Sequence, residues 1–183
     1  MIAEETNLKD CFLITPRVFE DERGYFFECF NQEKFSKAVG EKFQFVQDNE
    51  SQSNYGVLRG LHFQVPPYAQ AKLVRVVRGE VLDVAVDLRK ASPTYGQYTS
   101  AVLNEDNKHQ LLIPRGFAHG FAVLSGTAIF VYKIDNLYSP DHERGIRWND
   151  KDLAIDWKLK SSDIILSEKD KIQVGFKDFN TPF

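Results

Sequence analysis

Short apolar runs, separated by turn residues, limit what this chain can fold into more than any other feature of its sequence. Residues 81–88 read Val-Leu-Asp-Val-Ala-Val-Asp-Leu, with a large apolar side chain at every second position. Such alternation is typical of a β-strand with one buried and one exposed face. Residues 72–77 form another run just before it, and Arg78-Gly79-Glu80 between them predicts a β-hairpin turn. Further strands are predicted at 111–113, 121–124 and 128–134.

Only one segment has a clear helical pattern. Asn31 is a capping residue, Phe35 and Val39 share one face with Ala38, and Gly40 follows as a stop signal. The tail after residue 157 has weaker periodicity and predicts a loop-rich or helical appendage. A chain of 183 residues suits one domain. We therefore predict a mainly β protein, one domain over residues 1–183, built as an antiparallel jelly-roll barrel.

Composition excludes several classes of partner. The net charge of −3 predicts neither a nucleic-acid-binding surface nor an anionic membrane partner. Acids stand at positions 4 and 5, where a signal peptide carries positive charge, and no run approaches the ~18 apolar residues of a membrane span. Cys11 and Cys29 form neither a C-x-x-C pair nor a disulfide framework. We expect a cytoplasmic protein with reduced thiols.

Two histidines lie in unusual surroundings. His119 ends a Pro-x-Gly-x-x-His segment that begins at Pro114 and resembles half of the cupin metal motif. A cupin metal site also needs two histidines one residue apart, with a glutamate, on an earlier strand. His62 has Gln64 where the second histidine would be. Protein sites for zinc and iron need three or four converging ligands, and one histidine from each segment supplies only two. We therefore predict no metal and no cofactor.

His62 and Lys72 are candidates for acid–base chemistry. Histidine has a reference pKa of about 6.5, which suits a general base at neutral pH. The alternative is a hydrogen-bonded core histidine. Lys72 shares a strand face with Val74 and Val76, where a lysine is costly unless it is paired or used. Its alternative is a strand-end lysine whose ammonium reaches water.

Arg59, three residues before His62, raises a geometric problem. In an unbroken strand the two side chains would face opposite sides. Gly60 between them predicts a bulge or bend that brings both to one side.

Tyr132 is a candidate proton donor. On the predicted strand 128–134 it faces the same way as Ala128, Phe130 and Ile134, which predicts an inward ring. Taken alone, a buried structural tyrosine with a satisfied hydroxyl is the better interpretation. Beside a base and a cation, its hydroxyl becomes a plausible proton donor.

Many motifs occur in a fixed order over nearly the whole chain. They are Asp-Glu-Arg-Gly-Tyr-Phe-Phe-Glu (21–28), Gln-Asp-Asn (47–49), Leu-Arg-Gly-Leu-His-Phe-Gln (58–64), Gln-Ala-Lys-Leu-Val-Arg (70–75), Asp-Leu-Arg (87–89), Ser-Pro-Thr-Tyr-Gly (92–96), Ile-Pro-Arg-Gly-Phe-Ala-His-Gly-Phe (113–121), Tyr-Ser-Pro (138–140), Gly-Ile-Arg-Trp-Asn-Asp (145–150) and Leu-Ser-Glu-Lys-Asp (166–170). Together they resemble the dTDP-4-dehydrorhamnose 3,5-epimerase family, whose fold is a cupin-like jelly roll.

The resemblance implies a reaction. The family converts dTDP-4-dehydro-6-deoxy-D-glucose to dTDP-4-dehydro-L-rhamnose without a cofactor. The C4 ketone acidifies the protons on C3 and C5, so each centre is inverted through an enolate. The resemblance implies that His62 is the base, oriented by Asp170, and that Tyr132 is the acid. Lys72 matches the cation near the enolate oxygen.

The resemblance also implies substrate contacts. Arg59 matches a ligand of the diphosphate, and Tyr138 matches an aromatic ring stacked on thymine. Arg23 and Glu28 match contacts from a neighbouring subunit, which implies a homodimer with crossing N-terminal strands. Further implied contacts are Phe26, Gln47, Asp48, Asn49, Lys72, His119, Glu143 and Lys169. The alternatives are an ordinary exposed charge pair for Arg23 and Glu28, and a loop acid for Glu143.

Two other functions remain compatible with the residues. Relatives of this fold that invert only C3 or only C5 of a related 4-keto nucleotide sugar keep most of these side chains. A non-catalytic module that binds sugar nucleotides is the second alternative. The joint presence of His62, Lys72, Tyr132 and Asp170 favours an enzyme over that module.

Overall fold

Two antiparallel sheets face each other in the computed structural model, which describes residues 1–183. The first sheet contains, in spatial order, β1 (Ile2–Glu5), β2 (Phe12–Thr15), β10 (Gln110–Ile113), β7 (Lys72–Arg78), β12 (Thr127–Ile134) and β5 (Gln47–Asn54). The second contains β13 (Glu143–Gly145), β6 (Leu58–Gln64), β11 (Phe117–Val123), β8 (Glu80–Asp87) and β9 (Tyr98–Asn104). A separate hairpin pairs β3 (Phe19–Asp21) with β4 (Gly24–Phe26). The predicted mainly β, antiparallel jelly-roll class is confirmed.

Helix α1 (Gln32–Val39) occurs where the sequence predicts it. The Asn31 side chain accepts a hydrogen bond from the backbone N–H of Lys34 at 3.1 Å, and Gly40 ends the helix with φ 76°. Phe35 and Val39 pack on the outer face of the first sheet. The short helix α2 (Glu168–Lys171) lies in the C-terminal segment. No helix is long and apolar enough to cross a membrane.

The main core fills the space between the sheets. Val74, Val76 and Phe130 contribute from the first sheet, and the Phe130 ring stacks on Phe121 of the second with centroids 4.2 Å apart. Tyr132 packs against the edge of this cluster, so its predicted inward orientation is confirmed. Beyond that edge the space between the sheets is open and forms a cavity.

The C-terminal segment covers the outer face of the second sheet. Leu153 and Trp157 are buried there against the outward side chains of β8, and Phe176 and Phe179 pack beside them. Strand β8 is consequently buried on both faces, and Asp83 is fully buried. The prediction of a half-buried strand at 81–88 is therefore wrong. Alternation within a strand does not reveal that a distant segment will cover its apolar face while its polar face lies between the two sheets.

The predicted hairpin between β7 and β8 is also wrong. Both strands and the turn exist, but β7 pairs with β10 and β12, whereas β8 pairs with β11 and β9. At Gly79, which has φ 77°, the chain crosses from one sheet to the other. Turn residues mark where a chain changes direction, and the strand partners depend on contacts far away in sequence.

A bulge interrupts β6 at the position that the sequence predicts. Pairing with β11 places His62 opposite His119 and Arg59 opposite Phe121, so two residues of β6 stand against one of β11. Gly60 has φ 136°, and a Cβ atom there would lie 2.5 Å from Gly120 Cα. Only glycine fits this approach. The bulge brings Arg59 and His62 to the same side of the sheet.

Candidate active site

A cavity with two adjoining lobes opens between the sheets. The lobes measure about 560 and 310 Å³ and share His62, Lys72 and Tyr132. The combined space suits a ligand of nucleotide-sugar size. Other polar residues of the larger lobe are Ser51, Arg59, His119, Ser167, Lys169 and Asp170, and those of the smaller lobe are Gln47, Asn49, Gln64, Gln70, Tyr138 and Glu143.

His62 and Asp170 form a hydrogen-bonded pair. The His62 Nε2 atom bonds Asp170 Oδ1, and Ser167 Oγ donates to Asp170 Oδ2 at 2.7 Å. Ser167 also caps α2, which fixes the carboxylate beneath the imidazole. Burial opposes ionisation of Asp170, but hydrogen bonds from His62 and Ser167 outweigh it and lower the pKa of the carboxyl. The anion keeps the proton on Nε2 and leaves Nδ1 as the basic nitrogen.

A second pair, Asp83 and His119, lies beside Lys72. His119 Nε2 is 3.0 Å and 3.2 Å from the two Asp83 oxygens, and both side chains are buried. Burial lowers the pKa of His119 and raises the pKa of Asp83. Burial also lowers the pKa of Lys72 to about 8, while the charges of Asp83 and Glu143 oppose that shift.

Sequence reasoning missed Asp83. The alternation in 81–88 assigned it to an exposed face, whereas it faces the interior of the sandwich. The available signal was the apolar, aromatic-rich tail after residue 145, which needs a sheet face to cover.

Tyr132 lines both lobes from the first sheet. Burial raises the pKa of the phenol, with Arg59 opposing the shift, so the hydroxyl keeps its proton at neutral pH. That hydroxyl has no hydrogen bond to a protein group, and it is open to the cavity, because every fully buried side-chain polar atom of the protein has a partner. A tyrosine held only for structure was expected to have its hydroxyl satisfied, so this geometry favours a hydroxyl that serves a ligand.

Polar side chains at the mouth of the smaller lobe form a connected group. Tyr138 donates its hydroxyl to Glu143 Oε2 at 2.7 Å, and Lys169 forms an ion pair with Glu143. Burial raises the pKa of Glu143, but the bonds from Lys169 and Tyr138 outweigh it and lower that pKa overall. On β5, Gln47 Nε2 donates to Asn49 Oδ1 at 2.8 Å. Glu143 therefore lies in the cavity wall and not in a solvated loop.

Arg59 reaches across the larger lobe. Its Nε donates to Ser53 Oγ at 3.1 Å, and Ser53 is buried on β5. This bond orients the guanidinium and leaves its terminal nitrogens free for an anionic ligand.

Four of the predicted contacts do not line the cavity in a single chain. Arg23 and Phe26 lie on the β3–β4 hairpin, where Arg23 pairs with Asp21 and Phe26 is 67% exposed. Glu28 bonds Lys34 and Asn31 outside the cavity. Asp48 bonds Lys133 at 2.8 Å on the opposite face of β5 from Gln47 and Asn49.

No group of three or more His, Cys, Asp or Glu side chains converges in a way that could hold a metal ion. Gln64, in the place of a second cupin histidine, is engaged in hydrogen bonds to two loops. The absence of a metal requirement stays a prediction.

Known proteins resemble this chain over nearly its whole length. A sequence model of the dTDP-4-dehydrorhamnose 3,5-epimerase family matches residues 5–178. The dTDP-4-dehydrorhamnose 3,5-epimerase of Shigella flexneri is 57% identical over 166 residues, which are 91% of each protein. The crystal structure of the corresponding epimerase from Elizabethkingia anophelis is 55% identical, with a TM-score of 0.94 and 97% of both chains covered.

A third relative was crystallised with a nucleotide sugar. The dTDP-6-deoxy-D-glucose-3,5-epimerase RmlC from Legionella pneumophila, in complex with dTDP-4-keto-L-rhamnose, is 44% identical, with a TM-score of 0.93. It covers 97% of this chain and 94% of its own. On the family match, these identities and the shared jelly roll, the chain belongs to the dTDP-4-dehydrorhamnose 3,5-epimerase family.

Proposed function

We propose that the protein converts dTDP-4-dehydro-6-deoxy-D-glucose to dTDP-4-dehydro-L-rhamnose by inverting C3 and C5 of the sugar. One observation carries the proposal. His62 belongs to the second sheet and Tyr132 to the first, and both line one cavity between the sheets. A sugar ring in that cavity has a base on one side and an acid on the other, as inversion requires.

Proton removal begins each inversion. His62 takes the proton from C3 or C5, and the electron pair of the C–H bond moves into the ring to make an enolate at the C4 ketone. The Asp170 carboxylate stabilises the imidazolium that forms and holds its orientation. The sugar supplies its own electron sink, so the step needs no redox change.

Lys72 stabilises the enolate oxygen. With a pKa of about 8, most of the amine is protonated at pH 7. One such donor aimed at developing charge is typically worth about 3 kcal/mol of barrier. Of the charged groups around this ammonium, the fully buried Asp83 has the largest effect on its pKa. Asp83 also forms a hydrogen bond with His119. We assign substrate binding to His119, and we assign to Asp83 the orientation of the His119 ring through their hydrogen bond.

Tyr132 completes the inversion. Its phenol gives a proton to the enolate carbon from the face opposite His62; the phenolate then regains a proton from solvent, and the His62 imidazolium releases its proton to solvent. The C–H bond at that carbon is re-formed with the opposite configuration. The same two groups serve the second centre after the sugar is repositioned.

Binding of the nucleotide uses both ends of the site. Arg59 binds the diphosphate, Tyr138 stacks on thymine, and Gln47, Asn49, Glu143 and Lys169 supply further contacts. Arg23, Phe26 and Glu28 reach the site of a second subunit, so the active form is a homodimer. The exposed β3–β4 hairpin supports this assignment, because it carries three large apolar rings in solvent, those of Phe19, Tyr25 and Phe26. Asp48 joins the same intersubunit region.

One experiment tests this function and separates its alternatives. The protein is incubated with the dTDP-4-keto-6-deoxy sugar in deuterated water, and NMR follows exchange and configuration at C3 and C5. Deuterium at both carbons with inversion of both is the expected result. Inversion at one carbon identifies a mono-epimerase, and nucleotide binding without exchange identifies a binding module.

A further inference from the structure

Gln64 is a buried polar side chain for which the reaction has no use. It is the last residue of β6, two residues after His62, so both side chains lie on one side of the strand. It is 3% exposed and lines the smaller lobe together with Tyr138. Metal-binding cupins have a histidine at this position of the motif, whereas Gln64 forms hydrogen bonds with the backbone of two loops.

The amide of Gln64 fastens the backbone on both sides of Tyr138. Its Nε2 donates to the Leu137 carbonyl at 3.1 Å and to the Tyr68 carbonyl at 2.7 Å. Its Oε1 accepts from the Ser139 N–H at 2.7 Å. Two donors and one acceptor on one planar group are what an amide offers, whereas a carboxylate at neutral pH has no donor and a thioether has only a weak acceptor.

Few other contacts hold the Tyr138 ring. The side chain is 55% exposed, and its one hydrogen bond runs from the hydroxyl to Glu143. Glu143 is itself the register partner of Gln64 in the pairing of β13 with β6. Strand β6, which carries His62, therefore positions Tyr138 in two ways: Glu143, paired with this strand, bonds the hydroxyl, and Gln64 bonds the backbone on both sides of the residue.

We infer that Gln64 is a positioning residue for nucleobase recognition, which fixes the Tyr138 ring at a set place relative to the His62 imidazole. The inference rests on the proposed function, which gives Tyr138 the thymine contact. Without the amide, the loop loses its attachment on both sides of the tyrosine, and the ring must be ordered when the nucleotide binds. That ordering cost weakens nucleotide affinity and leaves the proton-transfer groups in place.

The test measures nucleotide affinity and turnover separately. Gln64→Met keeps the length and volume of the side chain and removes all three hydrogen bonds. We expect the Kd of dTDP, measured by calorimetry, and the KM of the substrate each to rise about tenfold. The kcat should stay within about threefold of the value for the original protein. Thr181→Val is the matched control, because it removes a buried hydrogen bond to the Leu88 carbonyl outside the cavity. It should leave the Kd of dTDP unchanged.

A double variant shows whether Gln64 acts through Tyr138. On a Tyr138→Ala background, Gln64→Met should weaken dTDP no further, because the ring it positions is gone. Gln64→Glu is measured alongside as a second folded variant, since it keeps the shape and the acceptor and loses both donors. An unchanged Kd in either folded variant, or full weakening on the Tyr138→Ala background, overturns the inference. Failure of the unmutated protein to bind dTDP overturns the proposed function instead.

Discussion

Replacing Tyr132 by phenylalanine removes one hydroxyl and preserves the ring that packs beside Phe130. Because no protein group hydrogen-bonds that hydroxyl, we expect the free energy of unfolding to change by about 0.5 kcal/mol or less. A tyrosine held through its hydroxyl would lose about 1 kcal/mol. Stability therefore hardly changes, and the effect of Tyr132→Phe lies in the chemistry.

The two halves of the reaction should separate in this variant. His62 and Asp170 are untouched, so His62 still removes a proton and returns deuterium on its own face. Delivery from the opposite face loses its acid, and acid catalysis by a placed side chain is typically worth about 10²- to 10⁴-fold. The doubly inverted product should therefore form at least about 100-fold more slowly, which is about 2.7 kcal/mol of barrier, while exchange stays close to its original rate.

NMR in deuterated water measures both quantities in one sample. Tyr55→Phe is the matched control, because it also removes a hydroxyl, one that donates to Asp163 at 3.1 Å outside the cavity. That control should keep the original ratio of inversion to exchange. If Tyr132→Phe forms the doubly inverted product at the original rate, the acid is another group and Tyr132 is only a wall of the cavity.

Four further predictions concern the rest of the site. Asp170→Asn should lower turnover about 100-fold and His62→Ala should lower it further, while both variants still bind dTDP. Steady-state kinetics measures both losses, and equal losses would contradict the orienting role of Asp170. Lys72 is proposed to act as a cation, so kcat/KM should fall tenfold per pH unit above about 8, where the ammonium loses its proton. Lys72→Arg stays charged in this range, so the activity that remains in this variant should not show the decline. A decline at the same pH in the arginine variant would show that Lys72 is not its cause. Arg23→Ala should weaken dTDP binding without lowering Tm by more than a few degrees, and sedimentation velocity of the active enzyme should show a dimer; a fully active monomer refutes the intersubunit contact. Prolonged treatment with a chelator should leave turnover unchanged, and rescue by one divalent metal after a loss would falsify the metal-free mechanism.

Local patterns in the sequence predicted the parts of the site that depend on local geometry. Strand parity alone shows that Arg59 and His62 cannot share a side without an extra residue, and Gly60 is that residue. The inward orientation of Tyr132 follows from the same parity. The resemblance to the family brought Asp170 to the site, since no pattern indicates where the C-terminal segment runs.

The errors share one physical cause, which is contact with segments that are distant in the sequence. The sequence of β8 is compatible with one covered face or two, and only the packing of residues beyond 150 decides between them. Because that segment covers the apolar face of β8, the other face, which carries Asp83, lies between the two sheets, and Asp83 was misassigned for this reason. Likewise, Gly79 predicts a turn, but the pairing partners of the flanking strands are selected by contacts between the two sheets.

The C-terminal segment that covers the second sheet has a consequence for biosynthesis of the enzyme. One stretch of chain supplies Asp170 to the base, buries Trp157 on the outer face of β8, and ends with Thr181 bonded to the Leu88 carbonyl. A ribosome makes this stretch after every strand of both sheets. A nascent chain can therefore pair its strands early, but the apolar outer face of the second sheet stays uncovered and His62 lacks its carboxylate partner until this segment has been made. We expect chains that stop before this segment to lose the His62–Asp170 pair and to aggregate through the uncovered apolar face.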